Sequence, residues 1–248
     1  MPLPKAELAR LRALRDKKNR ETAGRFVIEG EKVVDELLAA GFPLLEVFAT
    51  QPWLVAHPTI GNSLRATEVS PDEMARASHY PTPSPVLAVG AINRVPLAAG
   101  AIETGLTLAL DGIQDPGNVG TLLRLADWFA LDRVLLSPDS ADLFSQKVIN
   151  ASMGSFARVM VHAADLAPTL AAARVPILGC ALSGDDVHQL APRRDAVIVI
   201  GSEGRGLSPA VEARVTQRVT IPRHGGAESL NAAVDAAIVC DNLRRISG

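Results

Sequence analysis

Three short stretches of this chain carry side chains able to hold and orient a reacting group. Residues 111–124 read DGIQDPGNVGTLLR, residues 197–207 read VIVIGSEGRGL, and residues 219–231 read VTIPRHGGAESLN. Each joins a strand end to a turn or glycine loop, so the polar groups fall just beyond strands. Asp115-Pro116-Gly117 is a turn signal, which puts Asn118 in the loop before a helix. Arg124 lies six residues further on, more than one helical turn, so both can serve one site only if Asn118 precedes the helix. Ser229 and Asn231 stand before an Ala-rich run of helical character, where such residues ordinarily act as caps. Capping and site chemistry are both open to them. Glu203 has two readings as well: a solvated or capping residue, or a group that orients its neighbours.

Several chemistries are excluded or weakened. Gly201 to Ser208 has the glycine spacing of a P-loop, but Leu207 stands where that loop needs Lys. The glycines fall as GxxGxG, whereas the dinucleotide fingerprint is GxGxxG, which weakens a nucleotide-binding oxidoreductase. The five histidines, at 57, 79, 162, 188 and 224, show no metal-ligand spacing, and no Cys pair supplements them. No GxSxG elbow is present for a serine hydrolase. His224 reads as a loop residue. The remaining constant of the Gly201 loop is a tight turn that needs glycine whatever the function.

Taken together and in this order, the three stretches resemble the three motifs of the SpoU (TrmH-like) family of SPOUT RNA methyltransferases. Asn118, Gly120 and Arg124 match the first motif. Gly201, Glu203, Gly204 and Gly206 match the GxEGxG loop. Ile221-Pro222 and Ser229-Leu230-Asn231 match the third. The resemblance implies transfer of methyl from S-adenosylmethionine to a ribose 2′-hydroxyl, with ribosomal RNA the expected substrate ahead of tRNA. It implies Asn118, Arg124, Glu203, Ser229 and Asn231 as catalytic positions, and Gly201, Ile221 and Leu230 as cofactor-binding ones. It further implies a homodimer whose site is completed across the interface, a C-terminal segment tucked as a trefoil knot, and no metal. Asn150 and Asp235 depart from the family pattern, which often has Arg and a small residue there. A catalytically silent RNA-binding or ribosome-assembly factor on the same fold is the alternative. Retention of the five polar positions argues against it.

The elements that must position these groups read as two α/β domains. With 48% hydrophobic residues there is ample material for a core. In residues 1–98, Leu8, Leu11 and Leu14 space an amphipathic helix ended by Gly24. Phe26–Ile28 reads as a strand, 31–40 as a helix closed by Gly41, and Leu44–Ala49 as a strand. Ser70, Pro71 and Glu73 form a helix start with a capping box. Val86–Val89 is the last strand, and residues 93–105 are a candidate linker. In residues 106–248, strands are expected at 106–110, 133–136, 158–161, 175–180, 196–200 and 219–221. Several are continuous apolar runs, as parallel strands covered on both faces require. Ligands in such sheets sit beyond the strands' carboxyl ends, where all three motifs fall.

The net charge of −2 is unevenly spread. Residues 1–25 hold eight basic and three acidic residues, a net of +5. That run reads either as a solvated helix face or as a phosphate-tracking arm, with Lys17, Lys18, Arg20 and Arg25 as the candidate RNA contacts. Cys180 and Cys240 lie in apolar surroundings and read as buried free thiols of a reducing cytoplasm. No apolar run approaches the about 20 residues that span a bilayer, and charges interrupt the N-terminus where a signal peptide needs an apolar core. The expectation is a soluble, cytoplasmic protein with no membrane partner.

Overall fold

The structure, a computed structural model, describes residues 3–60 and 64–245. It divides into two compact units: residues 1–93 with 142–157, and residues 94–141 with 158–248.

The first unit begins with α1 (Lys5–Ala13) and α2 (Lys17–Ala23), followed by β1 (Arg25–Glu29), α3 (Glu31–Ala39) and β2 (Leu44–Ala49). It continues through α4 (Gln51–Ala56), β3 (Arg65–Glu68), α5 (Pro71–Ala77) and β4 (Val86–Ala91). The sheet order is β1-β4-β2-β3. Its β1–β4 and β4–β2 pairs are antiparallel, and β2–β3 is parallel. The capping box is formed: Glu73 N donates to Ser70 Oγ and Ser70 N donates to Glu73 Oε2.

The single N-terminal helix expected from the leucine spacing is instead two. Asp16 takes an extended conformation (φ −85°, ψ 134°) and starts α2. The carbonyls left over at the end of α1 are answered by side chains. Asn19 Nδ2 donates to Ala13 O, and Arg20 Nη1 donates to Leu14 O and Arg15 O at 3.0 and 2.6 Å. Orphaned helix-end carbonyls need such partners when buried. Arg20 also pairs with Asp142 at 2.6 Å and is only 5% exposed. Its expected role as an RNA contact is therefore corrected: the side chain is buried and both its Nη groups are spent inside the unit.

The second unit starts with β5 (Leu106–Asp111), α6 (Pro116–Trp128) and β6 (Arg133–Leu136). The chain then leaves it for residues 142–157, which contain α7 (Gln146–Ser152) and fold with the first unit. There Phe144 and Phe156 pack on Phe26, with ring centroids 5.0 and 6.1 Å away. Gln146 Nε2 donates to the fully buried Glu29 carboxylate, and Asn150 Nδ2 donates to Glu29 O. Asn150, at the position of an expected departure, is thus a packing residue of the first unit. The chain returns as β7 (Val161–Ala163), α8 (Leu166–Ala171), β8 (Ile177–Asp186), β9 (Ala196–Gly201), α9 (Pro209–Glu212), β10 (Gln217–Thr220) and α10 (Ala232–Arg244).

The second sheet runs β10-β8-β9-β5-β6-β7 with every pair parallel. All of β5 and nearly all of β9 are buried, as strands covered on both faces must be. In this sheet three strands differ from expectation by two residues or more, β10 by running Gln217–Thr220. Arg158 is exposed and holds Asp127 at 2.8 Å, so β7 begins only at Val161. β8 runs on to Asp186 because β10 pairs with it twice, at Leu178–Gly179 and again at Asp185–Asp186, with a register shift between. Among the described residues no helix is long and apolar enough to cross a membrane. Both cysteines are free, and burial pushes the Cys240 thiol up to about 12 and the Cys180 thiol higher still.

Asp235 lies in the first turn of α10, half-buried, and burial holds its carboxyl above the usual carboxylate range. The unfolded chain gives up this proton at about pH 3.9. As pH rises past that value the folded state keeps the proton longer, so stability falls through this interval. Asp235→Asn should therefore be more stable than the parent at pH 8 and match it at pH 3, in chemical unfolding at the two pH values. A variant less stable at pH 8 would mean that a cation outside the isolated chain answers the charge.

Candidate functional site

The carboxyl ends of β5 and β9 lie side by side, with Asp111 opposite Gly201 in register. From β5 the chain proceeds outward to β6 and β7 on one side, while β9 and β8 fill the other. A crevice at such a reversal of strand order is the general ligand position in open parallel sheets.

Local structure at each end is set by short-range chemistry. Asp115 caps α6 by accepting from Asn118 N at 2.8 Å, with Pro116 at the first helical position. Asn118 is thus in the first turn of the helix rather than before it. The Gly201 loop closes on itself: Ser202 N donates to Gly206 O at 3.1 Å, and Gly206 N returns to Ser202 O at 2.7 Å. A side chain at Gly201 would meet the Gly206 carbonyl carbon at 2.3 Å, which is why that position has none. The buried Asp111 carboxylate accepts from Ser208 N at 2.6 Å and ties the end of the loop to β5. Asn231 caps α10, its Oδ1 accepting from Ala233 N at 2.9 Å.

These three pieces bring three polar side chains together. Asn118 Nδ2 donates to Glu203 Oε1 at 2.7 Å. Asn231 Nδ2 donates to the same oxygen at 3.0 Å and to Asn118 Oδ1 at 2.8 Å. Asn231 therefore caps α10 and joins the cluster at once. Its oxygen faces the helix N–H, which leaves its amide nitrogen nowhere to point but at the other two groups. Glu203 Oε2 has no hydrogen bond among the described residues and remains able to accept one. A polar cleft of about 210 Å³ adjoins the cluster, lined by Gly112, Gln114, Asp115, Asn118, Glu203 and Arg205 among others.

The other expected site residues fall elsewhere. Arg124 is exposed on α6, about 9 Å along the axis from Asn118 and roughly 120° round it. It does not line the cleft. Ser229 lies in an exposed stretch, and no hydrogen bond joins it to the cluster among the described residues. Gly201 and Ile221 are half-buried, and Leu230 is 43% exposed, a large apolar side chain without cover. None of the three lines the cleft. In the first unit Lys17, Lys18 and Arg25 are exposed, and Arg25 holds Glu46 at 3.1 Å. Among the described residues no group of three His, Cys, Asp or Glu could hold a metal ion. The sequence reading passed over Gln114 and Arg205 as cleft residues; their presence between motif positions was the only signal.

Comparison with known proteins gives a consistent picture. The SpoU rRNA methylase family model matches residues 105–241, and the MRM3-like substrate-binding domain model matches residues 5–88. The chain is 31% identical over 235 residues to the 23S rRNA (guanosine(2553)-2'-O)-methyltransferase RlmP of Bacillus subtilis, covering 93% of each chain. Among solved structures, a TrmH-family protein from Porphyromonas gingivalis superposes with a TM-score of 0.86 at 38% identity, covering 98% of this chain and 99% of that one. An AdoMet-bound rRNA methyltransferase from Sinorhizobium meliloti superposes with a TM-score of 0.85 at 27% identity, covering 98% and 96%.

Proposed function

The chain belongs to the SpoU rRNA methylase family, and from that premise we propose that it transfers the methyl group of S-adenosylmethionine to a ribose 2′-hydroxyl of ribosomal RNA. The observation that carries this reading is the Asn118–Glu203–Asn231 cluster beside an open polar cleft. The cofactor, when bound, supplies a methyl already activated by its attachment to a sulfonium. Gly201, Ile221 and Leu230 would hold it. The protein's share is alignment and handling of the hydroxyl proton. Glu203 Oε2 accepts the hydrogen bond of the incoming 2′-hydroxyl, while the two amides hold the carboxylate in place. Ser229, two residues before Asn231, would help orient the acceptor. The first unit, matched by a substrate-binding domain model, would supply RNA affinity through Lys17, Lys18 and Arg25. The work would be done in the cytoplasm, where ribosomal RNA is available.

Arg124 enters this reading from a second copy. A guanidinium keeps its proton in proteins, so its role is to hold phosphate and stabilise the developing alkoxide, not to act as a base. Its distance round α6 from Asn118 favours a homodimer in which each chain lends Arg124 to the other's cluster. The Ala-rich α10, with Val234 45% exposed, offers a surface for such packing.

Two experiments test these statements. Ribosomal RNA fragments methylated by the protein should carry the methyl on a ribose 2′-oxygen, and replacing that ribose by deoxyribose should abolish transfer while sparing most of the binding. Methyl arriving on the deoxy substrate would make the acceptor a base. For the shared site, Arg124→Ala and Glu203→Gln should each be nearly inactive alone. Random mixed dimers of the two should recover about a quarter of the parent activity, since half are heterodimers with one intact site of two. No recovery on co-expression would put Arg124 in the same chain's site or outside catalysis.

A further inference from the structure

We propose that Arg205, at the tip of the Gly201 loop, binds the phosphodiester on the 3′ side of the acceptor nucleotide. This inference rests on the ribose-methylation reading above and identifies which part of the RNA the cleft takes beside the hydroxyl.

The tip is well defined. The Ser202–Gly206 bridge leaves residues 203–205 as its turn, so Glu203 and Arg205 project from one short rigid piece of backbone. Their situations are opposite. Glu203 is held by two amides, at 2.7 and 3.0 Å. Arg205 has no hydrogen bond or ion pair among the described residues, although it lines the same cleft. Its Nη2 lies 4.0 Å from the point where a Cβ on Gly112 would stand, and Asp139 Oδ2 lies 3.0 Å from that same point. Gly112 has a φ of +66°, so glycine is required there, and its bare backbone forms the floor between guanidinium and carboxylate. Asp139 does not close on Arg205; its Oδ1 accepts from Ser137 Oγ at 2.6 Å, and Ser137 Oγ in turn accepts from Gly112 N. The guanidinium therefore lies beside the cleft floor with no carboxylate paired to it among the described residues.

The ligand follows from covalent chemistry. In RNA the 2′-hydroxyl and the 3′-phosphodiester are borne on adjacent ribose carbons. A ribose whose hydroxyl meets Glu203 brings that phosphate into the same cleft. The described lining holds two carboxylates, Asp115 and Glu203, which repel it, and one cation, Arg205, which attracts it. A guanidinium fork also matches two phosphate oxygens at once.

The test uses the full chain and RNA oligonucleotides that differ at one linkage. Arg205→Ala should raise KM for native RNA by roughly 10–100-fold, as loss of a charge-assisted hydrogen bond does, with kcat little changed. Arg205→Lys should fall between. On RNA carrying an uncharged methylphosphonate at the 3′ linkage of the acceptor nucleotide, parent and Arg205→Ala should have the same KM. Cofactor affinity should be the same in all three proteins. The inference is overturned if Arg205→Ala leaves KM unchanged, or if its penalty persists in full on the methylphosphonate RNA, which would assign the contact to a base. Parent turnover on native RNA reports separately on the methylation reading, so failure of one is distinguishable from failure of the other.

Discussion

The side-chain amide of Asn231 is the constraint on which the site depends. An Asn at a helix start has one strong obligation, to satisfy an N–H that the helix leaves unpaired. Here the oxygen meets Ala233 N, and the planar amide then fixes where its nitrogen points. That nitrogen donates to both Asn118 and Glu203, so a helix cap on α10 sets the position of groups 113 and 28 residues away in sequence. Capping the helix and joining the cluster are not rivals. One is the mechanism of the other.

The rest of the second unit serves to bring the three partners to one place. Parallel pairing of β5 and β9 puts Asp111 and Gly201 in register, so the start of α6, which carries Asn118, and the loop that carries Glu203 follow from adjacent strand ends. Asp111 spends its buried charge on Ser208 N and Asp115 spends an oxygen on Asn118 N. Both carboxylates fix backbone, whereas Glu203 is itself held by side-chain amides through Oε1 and keeps Oε2 open to a ligand. Close backbone approach at Gly201 and Gly206 makes the loop rigid enough for that to matter. In the first unit a different economy holds: Arg20 answers Asp142 and two helix-end carbonyls, and Glu29 answers a serine, a glutamine and backbone N–H groups.

Much of this was legible in the sequence because the signals are local. The continuous apolar runs gave the parallel strands, Ser70–Glu73 gave its capping box, and the three motifs gave the cluster's members. What was not legible depends on contacts distant in sequence. Nothing near Arg20 says that its guanidinium turns back onto α1 and across to Asp142, so it looked like its basic neighbours Lys17 and Lys18. The break between α1 and α2 is likewise set by side-chain capping from Asn19 and Arg20, which a leucine spacing that ends at Leu14 does not announce. The extension of β8 to Asp186 follows from a second pairing with β10 after a register shift, which no periodicity in either strand announces. The grouping of residues 142–157 with the first unit rests on Phe26 meeting Phe144 and Phe156, a choice of partners that apolar residues do not declare.

If Asn118, Glu203 and Asn231 act as one device, their contributions to methyl transfer must be coupled and not additive. The most direct measurement is a cycle of single-turnover rates with Asn118→Ala, Asn231→Ser and the double variant. Serine keeps the helix cap and removes the bridging amide nitrogen. Each single change should slow transfer by roughly a hundredfold, the worth of one lost contact to the group that holds the reacting oxygen, with cofactor affinity little altered. The double variant should be scarcely slower than either single one. Losses that multiply, or single variants that transfer methyl at the parent rate, would contradict the account.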